Sequence, residues 1–421
     1  MSAHQLLQEL FQRGIHLSLV DDQITIRAPK GTLTPPLRER IAAHKADLMA
    51  LLRQHQSSVA HEAIPPCDLP FRPLSFAQQR IWFIDQMYPG TPAYNVPLII
   101  QVRGALNPAT LEQSINAMVR RHEVLRTTFA LHEDHHEAVQ VVAPALHIPL
   151  TVADLCGMAA TARRQEQQRL ITAEAGHTFD LVRGPLMRVV LLHLGNTEHL
   201  LLITMHHIIT DGWSMQVLLR ELAAIYTALE QGVAPDLPDL PIQYGDFACW
   251  QHRWLQGERL QHQLAYWKAQ LAEAPPLLQM PIDQPFPPAQ SFAGARQTFD
   301  IPPQLAAALQ ELAGQEDATL YTVLLTTFCT LLHRYTNQDD ILVGSPISGR
   351  IHRSIEELIG FFVNTLVVRA DLSGNPSFRG LLARVRAVLL EAYAHQDVPF
   401  EKLVEELHPQ RDPGRNPLVQ V

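Results

Sequence analysis

The stretch Met205-His206-His207-Ile208-Ile209-Thr210-Asp211-Gly212-Trp213-Ser214 sets two imidazoles, a carboxylate and a glycine between an apolar run and a helical one. Upstream, Leu186 to Leu194 and His199 to Met205 are apolar-rich and joined by Gly195-Asn196, the pattern of a hairpin whose second strand delivers the histidines. Downstream, Leu218, Leu222, Ile225 and Leu229 recur at helical spacing, with Ser214 placed to cap that helix. The pair therefore sits at a strand-to-helix crossing on a mixed α/β frame. Neighbouring side chains on extended backbone point to opposite faces, so one histidine is expected to meet a cavity and the other packing.

A neutral imidazole can take a proton or orient a nucleophile near pH 7, and it needs a partner to fix its tautomer. Asp211 is close enough in sequence to hold the loop. The plainer alternative makes both histidines satisfied structural groups and Asp211 a helix-start residue. The complete pattern with its Gly-Trp-Ser tail favours chemistry. No metal is expected, because no Cys-x-x-Cys and no second close His cluster completes a coordination sphere.

A chain of 421 residues with 47% apolar composition is long enough for two or three units with substantial cores. The net charge of -9 and the absence of long basic runs argue against nucleic acid and against an anionic membrane surface. Cys67, Cys156, Cys249 and Cys329 are scattered without metal spacing, with no signal peptide and no apolar stretch long enough to cross a bilayer. A cytoplasmic protein with reduced thiols is expected, in which Cys249 and Cys329 serve as small buried hydrophobes.

Residues 1–58 form a compact pattern: a helix through Leu6, Leu7, Leu10 and Phe11 ending at Gly14, strands Ile15 to Leu19 and Ile24 to Ile26, and a helical stretch from Thr34 carrying Leu37, Ile41, Leu48, Leu51 and Leu52. A hairpin with an open edge invites strand addition, which makes this a candidate binding module. Residues 59–70 turn polar and proline-bearing and read as a linker. The remainder alternates strand-like and helical runs. A proline- and aspartate-rich break at Gly232 to Pro241 divides it into lobes at 71–236 and 237–421, and Pro275 to Pro288 reads as an extended surface crossing.

Seven stretches in order carry a resemblance to the condensation domain of nonribosomal peptide synthetases. They are Leu74-Ser75-Phe76-Ala77-Gln78-Gln79-Arg80-Ile81-Trp82-Phe83, Arg121-His122-Glu123-Val124-Leu125-Arg126-Thr127-Thr128-Phe129, the His-His-x-x-x-Asp-Gly run, Tyr244-Gly245-Asp246-Phe247-Ala248, Ile359-Gly360-Phe361-Phe362-Val363-Asn364-Thr365, His395-Gln396-Asp397-Val398-Pro399-Phe400 and Arg411-Asp412-Pro413-Gly414-Arg415-Asn416-Pro417-Leu418. Such an ordered series is far more specific than the histidine motif alone. The resemblance implies an α/β fold of two chloramphenicol-acetyltransferase-like lobes in a V-shaped pseudodimer, with the His motif at the centre of a tunnel. It implies partner carrier proteins, a donor upstream and an acceptor downstream, whose phosphopantetheine arms bring the thioesters; the chain itself binds no cofactor directly. The α-amine of the acceptor attacks the donor thioester and an amide forms.

The resemblance also assigns roles. His207 either takes a proton from the amine or aligns it, while His206, Asp211 and Gly212 shape the loop. An arginine of the second stretch pairs with Asp211, and Arg126 is the assignment, with Arg121 the alternative. Trp213, Ser214 and Asn364 are expected at the tunnel, Asn364 alternatively as a loop-capping amide. Trp82, Gln78, Gln79 and Tyr244 to Ala248 are expected to pack rather than react, and Gly344 to Arg350 lacks the Lys-Ser/Thr ending of a phosphate loop.

The wording of the motifs is similar to members joining an L-configured donor to an L-configured acceptor, and His206 speaks against cyclising relatives. Residues Leu6 to Leu52 resemble the N-terminal docking domain of the tubulysin-synthetase type, at Gly14-Ile15, Leu17 and Lys30-Gly31-x-Leu33. That implies capture of the C-terminal docking tail of a preceding synthetase subunit. The family continues beyond its last motif, so the second lobe is expected to be incomplete at Val421. The alternatives are a catalytically inactive condensation-like recruitment platform and another CoA- or carrier-dependent acyltransferase, since His206 and Asp211 also fit a His-x4-Asp spacing.

Overall fold

The computed structural model describes Leu6 and residues 16–20, 23–27, 35–49, 63–69, 71–132, 137–283, 292, 294–407 and 415–421. The positions Gly14-Ile15, Lys30-Gly31-Thr32-Leu33 and 411–414, like residues 59–62 and 70 of the linker, lie outside the described residues. In the N-terminal segment, β1 (His16–Val20) and β2 (Gln23–Arg27) pair antiparallel with Leu17 opposite Ile26, and helix α1 spans Pro35–Ala43. The hairpin and the later helix fall where the two short strands and the helical stretch from Thr34 are expected.

The histidine motif hangs on a four-stranded sheet in the order β4 (Asn95–Arg103), β9 (Glu198–His206), β8 (Met187–Gly195) and β7 (Leu150–Asp154). The hairpin of β8 and β9 is antiparallel, and β7 joins β8 in parallel. Residues 199–206 of β9 are all buried, because both sheet faces are covered. Leu201, Ile203 and Met205 enter the main core, whereas Leu200 and Leu202 enter a smaller one with Leu155, Val190 and Leu192. The alternation ends at the strand end, where the His206 ring lies by Tyr94 and Phe179 of the main core.

Helices α2 (Phe76–Met87), α3 (Pro108–Arg121) and α5 (Gly212–Glu230) surround the main core, and helix α4 (Ala160–Ala175) packs on the smaller one. In α5, Val217, Leu218, Leu222 and Ile225 form the buried stripe, each worth about 1.5–3 kcal/mol of apolar burial. The cap of this helix is Asp211, one turn earlier than the Ser214 cap read from sequence. A separate sheet joins β3 (Arg72–Pro73), β6 (Ala138–Val142) and β5 (Thr127–Leu131).

Beyond the Gly232 to Pro241 break come α6 (Tyr244–Trp254), α7 (Gly257–Gln270), α8 (Pro303–Gln315) and α9 (Leu320–Thr336). The antiparallel pair β10 (Asp340–Ile347) and β11 (Asn364–Asp371) follows, then α10 (Phe378–Ala394) and α11 (Phe400–Leu407). Ile341, Val343 and Val368 pack there with Leu325, Leu381 and Val385. The segment 348–363 between the two strands leaves this sheet, and its Ile355, Leu358, Ile359 and Phe362 enter the main core beside the histidine motif. A connection that long and that well packed is a functional feature rather than a tether.

The expected reduced thiols fail at one pair. Cys67 and Cys249 are joined in a disulfide across 182 residues of sequence, with Cα atoms 5.9 Å apart. The segment before β3 runs along α6, where the Cys67 amide also donates to Asp246 Oδ1 at 2.8 Å. No spacing rule shows such a long-range approach. Cys329 is a buried free thiol, pushed up to about 12 by burial, in keeping with a hydrophobe rather than a nucleophile.

Candidate active site

The backbone turns sharply after β9, so His206 and His207 part. His206 is buried, with its ring near Tyr94 and Phe179, and its Nδ1 accepts from the Ile208 amide at 3.3 Å. Burial first, and the neighbouring His207 second, push it down to about 4, so it is neutral across the physiological range. His207 opens the 3₁₀ turn His207–Ile209 and is half-buried. Its Nδ1 lies 2.7 Å from the Thr210 carbonyl oxygen. A carbonyl can only accept, so Nδ1 carries the proton and the Nε2 lone pair is left for a ligand. The Phe361 ring stands edge-on to the imidazole, centroids 4.8 Å apart at 65°.

Asp211 points away from that chemistry. It is 1% exposed; Oδ1 accepts from the Ser214 amide at 2.7 Å and from Arg350 Nη2 at 3.3 Å, and Oδ2 accepts from the Phe362 amide at 3.0 Å. The cationic partner is thus Arg350, not Arg126 or Arg121. Arg126 ends a 3₁₀ turn leading into β5, in the other sheet, and donates to the Ala143 carbonyl at 2.6 Å. Arg121 donates to Glu221 at 3.1 Å, alongside His122. Arg350 also donates to the carbonyls of Ile355 and Leu358, and its guanidinium lies 4.0 Å from the Phe362 ring centroid. Burial pushes it down from its usual range against the pull of Asp211.

Ser214 is buried and fastens the segment 348–363 to the start of α5. Its Oγ donates to Gly360 O at 2.8 Å and accepts from Gly360 N at 3.0 Å and Arg350 Nη2 at 2.8 Å. Trp213 Nε1 donates to Glu356 O at 2.9 Å. Tyr244 completes the support: its hydroxyl donates to Phe361 O at 2.6 Å and lies 2.8 Å from Ser75 Oγ. Its ring fills the space beneath Gly360, where an added Cβ would meet Cδ2 at 2.0 Å. Gln78 pairs with Ser75 in a capping box and donates to Ile208 O at 3.0 Å. Gly212, by contrast, is exposed, and a Cβ there would meet nothing within 4 Å.

Asn364 closes a loop. Nδ2 donates to the carbonyls of Gln396 and Val398, both at 2.9 Å, and Oδ1 accepts from the Phe400 amide at 3.0 Å. Sequence reasoning missed Arg350 and Phe361 and set Gln78 and Tyr244 aside as packing. No apolar run marks Arg350, which ends the glycine- and serine-bearing stretch Gly344 to Arg350; only its folding inward, where a cation must find a buried carboxylate, sets it apart. Among the described residues no group of three His, Cys, Asp or Glu could hold a metal ion, and no helix is long and apolar enough to cross a membrane.

Residues 70–421 match the condensation domain family model, and residues 4–54 match the TubC N-terminal docking domain. The chain is 44% identical over 418 residues, 98% of its length, to one of the linear gramicidin synthase subunits of Brevibacillus parabrevis, and spans 5% of that protein. It is 41% identical over 91% of its length to phosphinothricin tripeptide synthetase PhsC of Streptomyces viridochromogenes, of which it spans 36%. Among solved structures, the X-domain from teicoplanin biosynthesis is similar with a TM-score of 0.78 and 30% identity, covering 86% of this chain and 79% of that one. The mixed α/β chain, with its histidine motif seated on a buried strand end, belongs to the condensation domain family and carries a TubC-type docking segment before it.

Proposed function

We propose that this chain forms a peptide bond, transferring an acyl or peptidyl group from an upstream carrier to the α-amine of an aminoacyl group on a downstream carrier, both residues L-configured. The observation that carries the reading is the committed tautomer of His207: Nδ1–H is held by the Thr210 carbonyl, and Nε2 is free to accept. A free α-amine has a pKa of about 7.7–8, so a share of it is protonated near neutrality and attack releases a further proton. Nε2 accepts a hydrogen bond from the amine, aligns it, and takes the proton as the C–N bond forms and the C–S bond of the thioester breaks.

The phosphopantetheine arms of the carriers supply the thioester-linked groups. Open space at Gly212, where a side chain would meet nothing within 4 Å, fits the approach of such an arm to His207. His206, neutral and buried, and Asp211, tied to Arg350 and Phe362, keep the turn in place. Positioning two tethered reactants supplies much of the acceleration, with effective molarities of about 10⁵ M or more in good cases. Residues 4–54 capture the C-terminal tail of an upstream subunit.

The test supplies two loaded carrier proteins to the chain and follows the acceptor by intact-protein mass spectrometry. A dipeptidyl thioester on the acceptor is expected. Its absence with folded protein and a range of aminoacyl groups overturns the enzyme reading in favour of a recruitment platform. Calorimetry with an upstream subunit's tail should show binding that disappears when residues 1–58 are removed.

A further inference from the structure

The groups that hold His207 form a closed circuit of contacts. The turn that carries the imidazole is gripped from behind, where Gln78 Nε2 donates to Ile208 O at 3.0 Å. Gln78 and Ser75 cap one another at the start of α2, with Gln78 N donating to Ser75 Oγ at 3.2 Å and Ser75 N donating to Gln78 Oε1 at 3.1 Å. Ser75 Oγ meets Tyr244 OH at 2.8 Å, Tyr244 OH donates to Phe361 O at 2.6 Å, and the Phe361 ring returns to the imidazole edge. Because the Tyr244 proton is committed to a carbonyl, Ser75 is the donor in their bond. Gln78, Ser75 and Tyr244 are all buried.

The backbone on either side of Phe361 is pinned as well. Ser214 holds both polar groups of Gly360, and Asp211 accepts from the Phe362 amide. Tyr244 therefore closes the circuit at the Phe361 carbonyl, from a different helix. Burial raises its phenol above the usual range, which favours the protonated, donating form.

We propose that Tyr244 is a positioning residue for His207, acting through Phe361: its hydroxyl fixes the Phe361 ring against the imidazole, so that Nδ1–H stays on Thr210 and Nε2 faces the reacting amine. The catalytic consequence rests on the proposed peptide-bond chemistry, whereas the effect on the imidazole does not. With the tie cut, the Phe361 carbonyl loses its donor, the ring is released, and the imidazole can turn and exchange tautomers.

Tyr244→Phe keeps the ring under Gly360 and removes only the hydroxyl. With loaded carriers, kcat is expected to fall about tenfold with KM within twofold of wild type, since sub-ångström to ångström misplacement acts on the reacting geometry rather than on carrier binding. In ¹⁵N-histidine spectra, the His207 signals, identified by their loss in His207→Ala, are expected at Nδ1–H positions in wild type and averaged between tautomers in Tyr244→Phe. Phe361→Leu, which leaves every tie in place and removes the ring, should produce the same averaging and covers the case of a poorly folded Tyr244 variant. The double variant Tyr244→Phe/Phe361→Leu should be no slower than Phe361→Leu alone. Unchanged kcat and an unchanged His207 tautomer in Tyr244→Phe, or fully additive losses in the double variant, would overturn the proposal. If wild type makes no peptide while the tautomer still responds to Tyr244→Phe, the function fails and the positioning role stands.

Discussion

Replacing Arg350 with methionine separates the arginine that geometry selects from the one that sequence suggested. The guanidinium and Asp211 are both 1% exposed, so neither charge is screened by water. Removing one partner of a buried pair costs about 3–5 kcal/mol, because the remaining charge is left uncompensated. The Ser214 and Phe362 amides still donate to Asp211, which places the expected loss near the lower end, about 3 kcal/mol. Arg126→Met forfeits one bond to the Ala143 carbonyl and a longer contact with Glu123 at 3.7 Å, worth about 1 kcal/mol. Urea unfolding followed by tryptophan fluorescence, with midpoints compared at equal slope, reads both variants. Adding Asp211→Asn to Arg350→Met removes the stranded charge, so the double variant should be less destabilised than the sum of the singles by about 2 kcal/mol. Equal losses for Arg126→Met and Arg350→Met, or strict additivity with Asp211→Asn, would refute the pairing.

Two titratable groups, His206 buried and Asp397 half-buried, give opposite pH signatures. His206, pushed down to about 4, contributes stability that is complete above the unfolded value of about 6.5 and is lost as pH falls toward 4. His206→Asn should flatten acid unfolding in that window by up to about 3 kcal/mol, read from denaturation midpoints at pH 7, 5.5 and 4. Asp397, which accepts from Gln263 at 2.8 Å, is pushed up to about 6 by burial against the pull of Arg259, so its favourable protonated form is lost as pH rises through 6. Asp397→Asn should therefore raise stability at pH 8 by as much as about 3 kcal/mol, with little change at pH 4. Gly212→Val should leave the melting temperature within a few degrees while strongly reducing peptide formation, because the added side chain meets solvent space rather than protein; a large loss of stability would refute that.

Local signals in the sequence reached far into the fold. Two apolar-rich runs joined by Gly195-Asn196 located the β8–β9 hairpin, and a 3.6 repeat located α5. The divergence of His206 and His207 is expected from strand alternation, whereas the structure produces it by a 3₁₀ turn that opens at His207. What local pattern could not show is anything made by distant segments meeting. Arg350 reaches Asp211 across 139 residues, Tyr244 reaches Phe361 across 117, and Cys67 reaches Cys249 across 182. Arg126 lies inside one of the seven stretches and Arg350 outside all of them, and only the path of segment 348–363 into the main core selects Arg350. The cap at Asp211 rather than Ser214 has a similar origin: the aspartate serves the helix end and the distant loop with its two oxygens.

The central claim is that His207 acts on the amine through Nε2. Single-turnover peptide formation between two loaded carriers, comparing wild type with His207→Ala, tests it most directly. The account predicts a decrease of about 10²-fold or more in rate, with residual product from positioning alone. Equal rates for the two proteins would contradict it.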